Sequence, residues 1–216
     1  SYYSIVHEVK QVAIRKFVIS VPHQNAPLRD KEAHGYDELA YPVAKRLKEI
    51  LRENSIQVSL VKTQNSRDVV DENRDEGRNT KFRARINTLM MDRDTLEIDM
   101  HSYPHGHGDF SDSQIEIFKF GHDSDKYGEW LKEELGKVGW IVHSVDNAKR
   151  TGHSDIVNQM HEEGYSAILI EVCENQKPES VAQAIATALY NLVQGDNKMK
   201  DPQGIQESPV TKTLPF

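Results

Sequence analysis

What most constrains this chain is the alternation of short β-branched apolar runs with longer stretches of helical period. Lys16 to Pro22 (KFVISVP) is apolar, β-branched and stopped by proline, which predicts a buried strand delivering His23 to its exit. From Asp37 to Asn54, apolar residues at 39, 40, 43, 44, 47, 50 and 51 keep helical spacing. Asp37 is the expected cap and Pro42 lies in the tolerant first turns. Glu38 therefore stands at the mouth of this helix.

Ile56 to Val61 alternates as a strand does, Ser66 to Thr80 is a charged stretch suited to a surface loop, and a helix follows from Lys81 to Met91. Thr95 to Met100 (TLEIDM) alternates again and runs into His101, so a second strand also delivers a histidine. Strands are expected at 113–120, 140–145 and 166–172, with helices at 124–138, 155–163 and 180–193. The run at 166–172 is the most apolar, and Glu171 sits near its end among neighbours that do not solvate a carboxylate.

This pattern predicts an α/β class: a three-layer α/β/α domain with a mixed central sheet over residues 1–194. Residues 195–216 hold three prolines, two glycines and few apolar side chains, the composition of an extended tail. Such a segment has little apolar area to offset its ordering entropy, so it is expected to pack on another chain, in a homo-oligomer or a larger assembly, the alternative being that it lies across its own domain with Leu214 and Phe216 as anchors.

No apolar run approaches the roughly 20 residues of a membrane-spanning helix, so no membrane partner is expected. A formal charge of -7 argues against nucleic acid; the basic cluster Lys81, Arg83 and Arg85 is flanked by acids. Cys173, the single cysteine, reads as a core thiol. The first eight residues show no basic segment followed by an apolar one, which points to a cytoplasmic or virion-associated rather than a secreted protein.

His23, Glu38 and His101, each at the edge of an expected element, supply two imidazoles and a carboxylate, a ligand set of catalytic zinc sites. Zn2+ in such a set supplies Lewis acidity for amide hydrolysis. Glu171 is then the candidate catalytic base, taking a proton from the attacking water and passing it to the departing amine. Its apolar flanks are expected to raise its pKa toward the working range. His105 and His107, in a glycine- and proline-rich loop, are read as solvated, and His34 and His153 as surface residues or outer partners of the site.

The ordered motifs VISVPH (18–23), Glu38 with Leu39 and Ala40, VSLVKT (58–63), RARIN (83–87), LEIDMHS (96–102) and AILIE (167–171) with NQKPE (175–179) carry a resemblance. Over residues 17–192 the chain resembles zinc-dependent N-acetylmuramoyl-L-alanine amidases of the cell-wall hydrolase type. It departs from them around the first histidine, where glycines are replaced by Pro22, Gln24 and Asn25, and at Thr63 and Gln64, where that family has threonine and arginine. The resemblance implies a phosphorylase/hydrolase-like form of the α/β/α fold and a zinc amidase acting on an amide or peptide substrate.

Ser66 to Arg74 (SRDVVDENR) and Asp99 to Ser102 (DMHS) also resemble the N-formylglutamate amidohydrolases. In that reading Asn73 and Arg74 hold a substrate carboxylate; otherwise Arg74 is a solvated loop residue. A carboxypeptidase-like hydrolase of small substrates belongs to the same group of readings. A different class is a hydrolase-like domain kept as a structural component of a larger assembly; retention of Glu171 argues for chemistry instead.

Overall fold

The computed structural model describes residues 13–28, 36–147 and 154–195. His34, His153 and the expected tail from residue 196 onward lie outside the described residues. The elements are β1 (Lys16–Val21), α1 (Ala40–Glu53), β2 (Val58–Lys62), a 3-10 turn (Asp75–Gly77), α2 (Lys81–Leu89), β3 (Thr95–Tyr103), β4 (Ile115–Lys119), α3 (Asp125–Lys137), β5 (Val142–Asp146), α4 (Asp155–Glu162), β6 (Ser166–Cys173) and α5 (Pro178–Gln194). The strands form one mixed sheet in the order β2-β1-β3-β6-β4-β5, with helices on both faces. Neighbours run parallel except β4 against β6. No helix among the described residues is long and apolar enough to cross a membrane.

The two-residue period of a strand sorts side chains between the faces. Phe17, Ile19 and Val21 of β1, Leu96, Ile98 and Met100 of β3, and Ile168, Ile170 and Val172 of β6 pack beneath α1, α3 and α5. Leu47, Ile50 and Leu51 of α1 are fully buried there, each worth about 2 kcal/mol. On the opposite face Val18, Ala167 and Leu169 meet Phe82 and Ile86 of α2 and Ile156 and Met160 of α4.

β3 is unlike its neighbours on that second face. Thr95, Glu97, Asp99 and His101 project there in succession, and all are buried. The alternation that predicts a strand with one solvated side belongs here to a central strand covered on both sides.

The chain leaves β1 for α1 on the first face, returns through α2 on the second, and enters β3 on the other side of β1. From β3 it crosses β6 to reach β4. The connections after β1 and β3 thus diverge, which opens the crevice where ligands bind in open α/β sheets. His23 and His101 stand at that crevice.

Candidate metal centre

His23 lies two residues beyond β1, and His101 lies within β3, two residues before its end. Between them stands Asp37. Its Oδ2 is 2.9 Å from His101 Nδ1 and 3.7 Å from His23 Nδ1. The imidazoles meet edge to face with centroids 5.0 Å apart. One ligand atom from each of the three buried residues lies within 4.8 Å of the others, the single such grouping among the described residues.

The backbone decides which carboxylate takes part. The Asp37 N–H donates to the His23 carbonyl at 2.8 Å, the Glu38 N–H to Glu174 Oε2 at 2.7 Å, and the Leu39 N–H to Ser102 Oγ at 3.0 Å. The entry to α1 is thereby tied to the ends of β1, β3 and β6. With those amides fixed, Asp37 turns inward and Glu38 is exposed. Glu38, expected as the ligand, is outside the cluster, and Asp37, expected as the helix cap, makes no cap: Leu39 occupies that position without a side-chain bond.

The far nitrogens of both rings meet polar partners. His23 Nε2 is 2.7 Å from Asp71 Oδ1; His101 Nε2 is 3.1 Å from Asp99 Oδ2 and 3.1 Å from Asn73 Nδ2. This leaves each Nδ1 directed at Asp37, and carboxylates behind histidine ligands fix ring orientation and raise basicity. Burial opposes charge on Asp37, but the hydrogen bond from His101 and the nearby His23 ring outweigh it and hold the carboxyl below its ordinary range. For Asp71 burial is likewise outweighed, by the hydrogen bond and charge of His23 and by Arg67.

The substrate-contact expectation divides. Asn73 is buried, its Nδ2 donating to Asp99 Oδ2 at 2.9 Å and its Oδ1 accepting the Ile156 N–H at 3.1 Å. Its amide is occupied in joining β3 to the start of α4. Arg74 is part-exposed, with Nε 4.0 Å from Asp71 Oδ2, and Arg67 Nε donates to the same oxygen at 3.1 Å. Two guanidinium groups thus flank the carboxylate behind His23.

Glu171, on β6, is the register partner of His101 on β3 and of Glu116 on β4. Burial pushes its carboxyl up to about 7; Asp37 and Glu116 add to this, while His101 and His23 pull the other way. Glu116 accepts the N–H groups of Asp109 and Phe110 and the Ser113 hydroxyl, each at 3.0 Å. It therefore anchors the connection between β3 and β4 beside Glu171. His105 Nδ1 lies 3.1 Å from Asn175 Nδ2 and 3.7 Å from buried Cys173 Sγ, His107 is exposed, and neither belongs to the cluster.

No family model and no curated protein sequence matches this chain. Solved structures do. A gene product of Agrobacterium tumefaciens superposes with a TM-score of 0.62 at 15% identity, over 88% of this chain and 93% of that one. The catalytic domain of the CD27L endolysin targeting Clostridia Difficile gives 0.53 at 16%, over 82% and 97%. N-formylglutamate amidohydrolase from Ralstonia eutropha JMP134 gives 0.53 at 10%, over 88% and 96%. The chain shares their fold.

Asp71, Asp99 and Glu97 lie inside the motifs SRDVVDENR and LEIDMHS, yet nothing in those motifs singles them out as partners of the site. Asp71 is one acid among several in a charged stretch, with no periodicity to select it. Asp99 and Glu97 carry a signal only in hindsight of position: they keep step with His101 at two-residue spacing.

Proposed function

We propose that this protein is a metal-dependent amidohydrolase in which His23, Asp37 and His101 hold zinc and Glu171 is the catalytic base. The observation that carries the reading is the convergence of two imidazole Nδ1 atoms and one carboxylate oxygen, with Glu171 beside them on the adjoining strand. Ligand atoms around tetrahedral zinc lie about 3.4 Å apart, and the Asp37 oxygen lies 2.9 Å and 3.7 Å from the two nitrogens. The donor set fits the ion. Bound there, zinc would supply Lewis acidity, lowering the pKa of water to about 7 and polarising a carbonyl.

The chain's own groups do the rest. Asp71 and Asp99 hold the rings so that their Nδ1 lone pairs converge. Glu171, poised near neutrality, accepts a proton from the attacking water and returns it to the departing amine nitrogen. Glu116, the register partner of Glu171 on β4, adds its negative charge to the burial that pushes this carboxyl up.

Arg67 and Arg74 favour one substrate class, a small N-acyl amino acid with a free carboxylate, over the muramoyl peptide that the sequence resemblance implies. A guanidinium pairs with a carboxylate in two parallel hydrogen bonds, and both stand next to the carboxylate that orients His23. The shared fold with an N-formylglutamate amidohydrolase and with an endolysin catalytic domain is compatible with either.

The test is elemental analysis of protein purified without chelator, followed by hydrolysis assays on N-acyl amino acids and on muramoyl-L-alanine peptides. One equivalent of zinc with turnover of the first set is expected. A folded chain that takes up no metal, or a metal-loaded one that cleaves neither, defeats the reading.

A further inference from the structure

Behind His101 the buried face of β3 continues to Asp99 and Glu97, both with no exposed surface. Ser20 on β1 is the register partner of Asp99 and is equally buried. Its hydroxyl contacts two carboxyl groups, Glu97 through Oε1 and Asp99 through Oδ1 at 3.2 Å. A hydroxyl has one hydrogen to give. Were both carboxyls ionised, one contact would set a carboxylate oxygen against a hydroxyl lone pair without a proton between them.

The surroundings decide which carboxyl keeps the charge. Asp99 Oδ2 faces two nitrogens, Asn73 Nδ2 at 2.9 Å and His101 Nε2 at 3.1 Å. Glu97 Oε2 is buried and meets no partner among the described residues, a costly setting for an anionic oxygen and a tolerable one for the carbonyl oxygen of an acid.

We propose that Glu97 is an un-ionised carboxylic acid whose proton sets the direction of a hydrogen-bond chain, from Glu97 O–H to Ser20 and from the Ser20 O–H to Asp99, and that through this chain it is a positioning residue for His101. The chain saturates Asp99 Oδ1 with a donor and leaves Oδ2 to Asn73 and His101. Burial, then the negative charge of Asp99, push the Glu97 carboxyl well above its ordinary range, against the opposing pull of Ser20, Arg83 and His101. The proton on Glu97 stands independently of any metal; the positioning role rests on the metal reading of His101.

Infrared difference spectra between the wild-type chain and Glu97→Gln at about pH 8, where an ordinary carboxyl is ionised, test the proton directly. The carbonyl stretch of an un-ionised acid is expected in the wild type; a difference confined to carboxylate bands overturns the proposal. Should the variant fold poorly, carboxyl carbon NMR of wild-type protein decides the same point: one glutamate resonance stays at the un-ionised position from about pH 6 to 9. Zinc titration tests positioning. Ser20→Ala is expected to weaken zinc about tenfold, while Glu97→Gln, whose amide N–H replaces the acid's donor, stays within about twofold. Unchanged affinity in Ser20→Ala, or an equal loss in Glu97→Gln, overturns the chain. A wild type that binds no zinc defeats the metal reading instead, and the infrared band still decides the proton.

Discussion

Glu171 and His101 stand opposite one another on the adjacent parallel strands β6 and β3, so both side chains project to the same face of the sheet. A carboxyl and an imidazole of the cluster are thereby set side by side by strand register alone. Glu171→Gln keeps the shape and removes the proton acceptor. The expected outcome is zinc content equal to wild type and a kcat lower by about 10²–10⁴. Wild-type turnover in this variant would assign Glu171 a structural role.

Asp37 and Glu38 are neighbours with opposite fates, and paired substitutions separate them. Asp37→Ala is expected to weaken zinc by more than the roughly 100-fold typical of lost outer partners, and Glu38→Ala by less than about twofold. Calorimetric zinc titration of both decides it. The reverse order would return the ligand role to Glu38.

Asp71→Asn keeps a group beside His23 Nε2 but removes the charge that Arg67 also contacts. Zinc affinity is expected to fall about 10–100-fold while the fold persists. Circular dichroism and metal titration of the same sample check both halves.

The metal-free protein should show a dome of stability against pH. Asp37 and Asp71 have carboxyls held below the ordinary range, so their contribution is present above it and is lost as pH falls through their folded values. Glu171 acts with the opposite sign. Its raised carboxyl favours the protonated folded state, so its contribution is full below about pH 4.5 and is lost as pH rises through about 7. At about pH 8 Glu171→Gln is expected to be more stable than wild type by up to roughly 3 kcal/mol, and below about pH 4.5 equally stable. Urea unfolding across this range is the measurement, and a variant less stable at every pH contradicts it.

Arg83 is fully buried, donating to the Glu72 and Arg74 carbonyls at 3.0 and 3.4 Å, to Asp155 Oδ2 at 3.0 Å and to Gln159 Oε1. It binds the stretch carrying Asp71 and Asn73 to α4. Arg83→Met strips donors from these groups, although Asp155 keeps Arg78 at 2.8 Å. A loss of about 3 kcal/mol in urea unfolding is expected, with weakened zinc binding as the stretch loosens. A loss below about 0.5 kcal/mol would mark the pair as dispensable.

From the sequence alone, the elements and the α/β class follow, because each rests on local periodicity: KFVISVP makes a strand, Leu39 to Leu51 a helix, and Ala167 to Ile170 a buried strand. The positions of His23, His101 and Glu171 at or near strand ends were legible for the same reason, since polar residues at the ends of apolar strands stand out. The placement of Asp37, and not Glu38, beside the two histidines was not. It depends on three backbone amides tied to His23, Glu174 and Ser102, residues up to 136 positions away. The covered face of β3 was equally hidden: TLEIDMH reads locally as a half-solvated strand, and only the packing of α2 and α4 over the sheet makes Glu97 and Asp99 interior groups. Periodicity is a property of neighbours along the chain, whereas burial and charge pairing are set by what the rest of the chain brings against them.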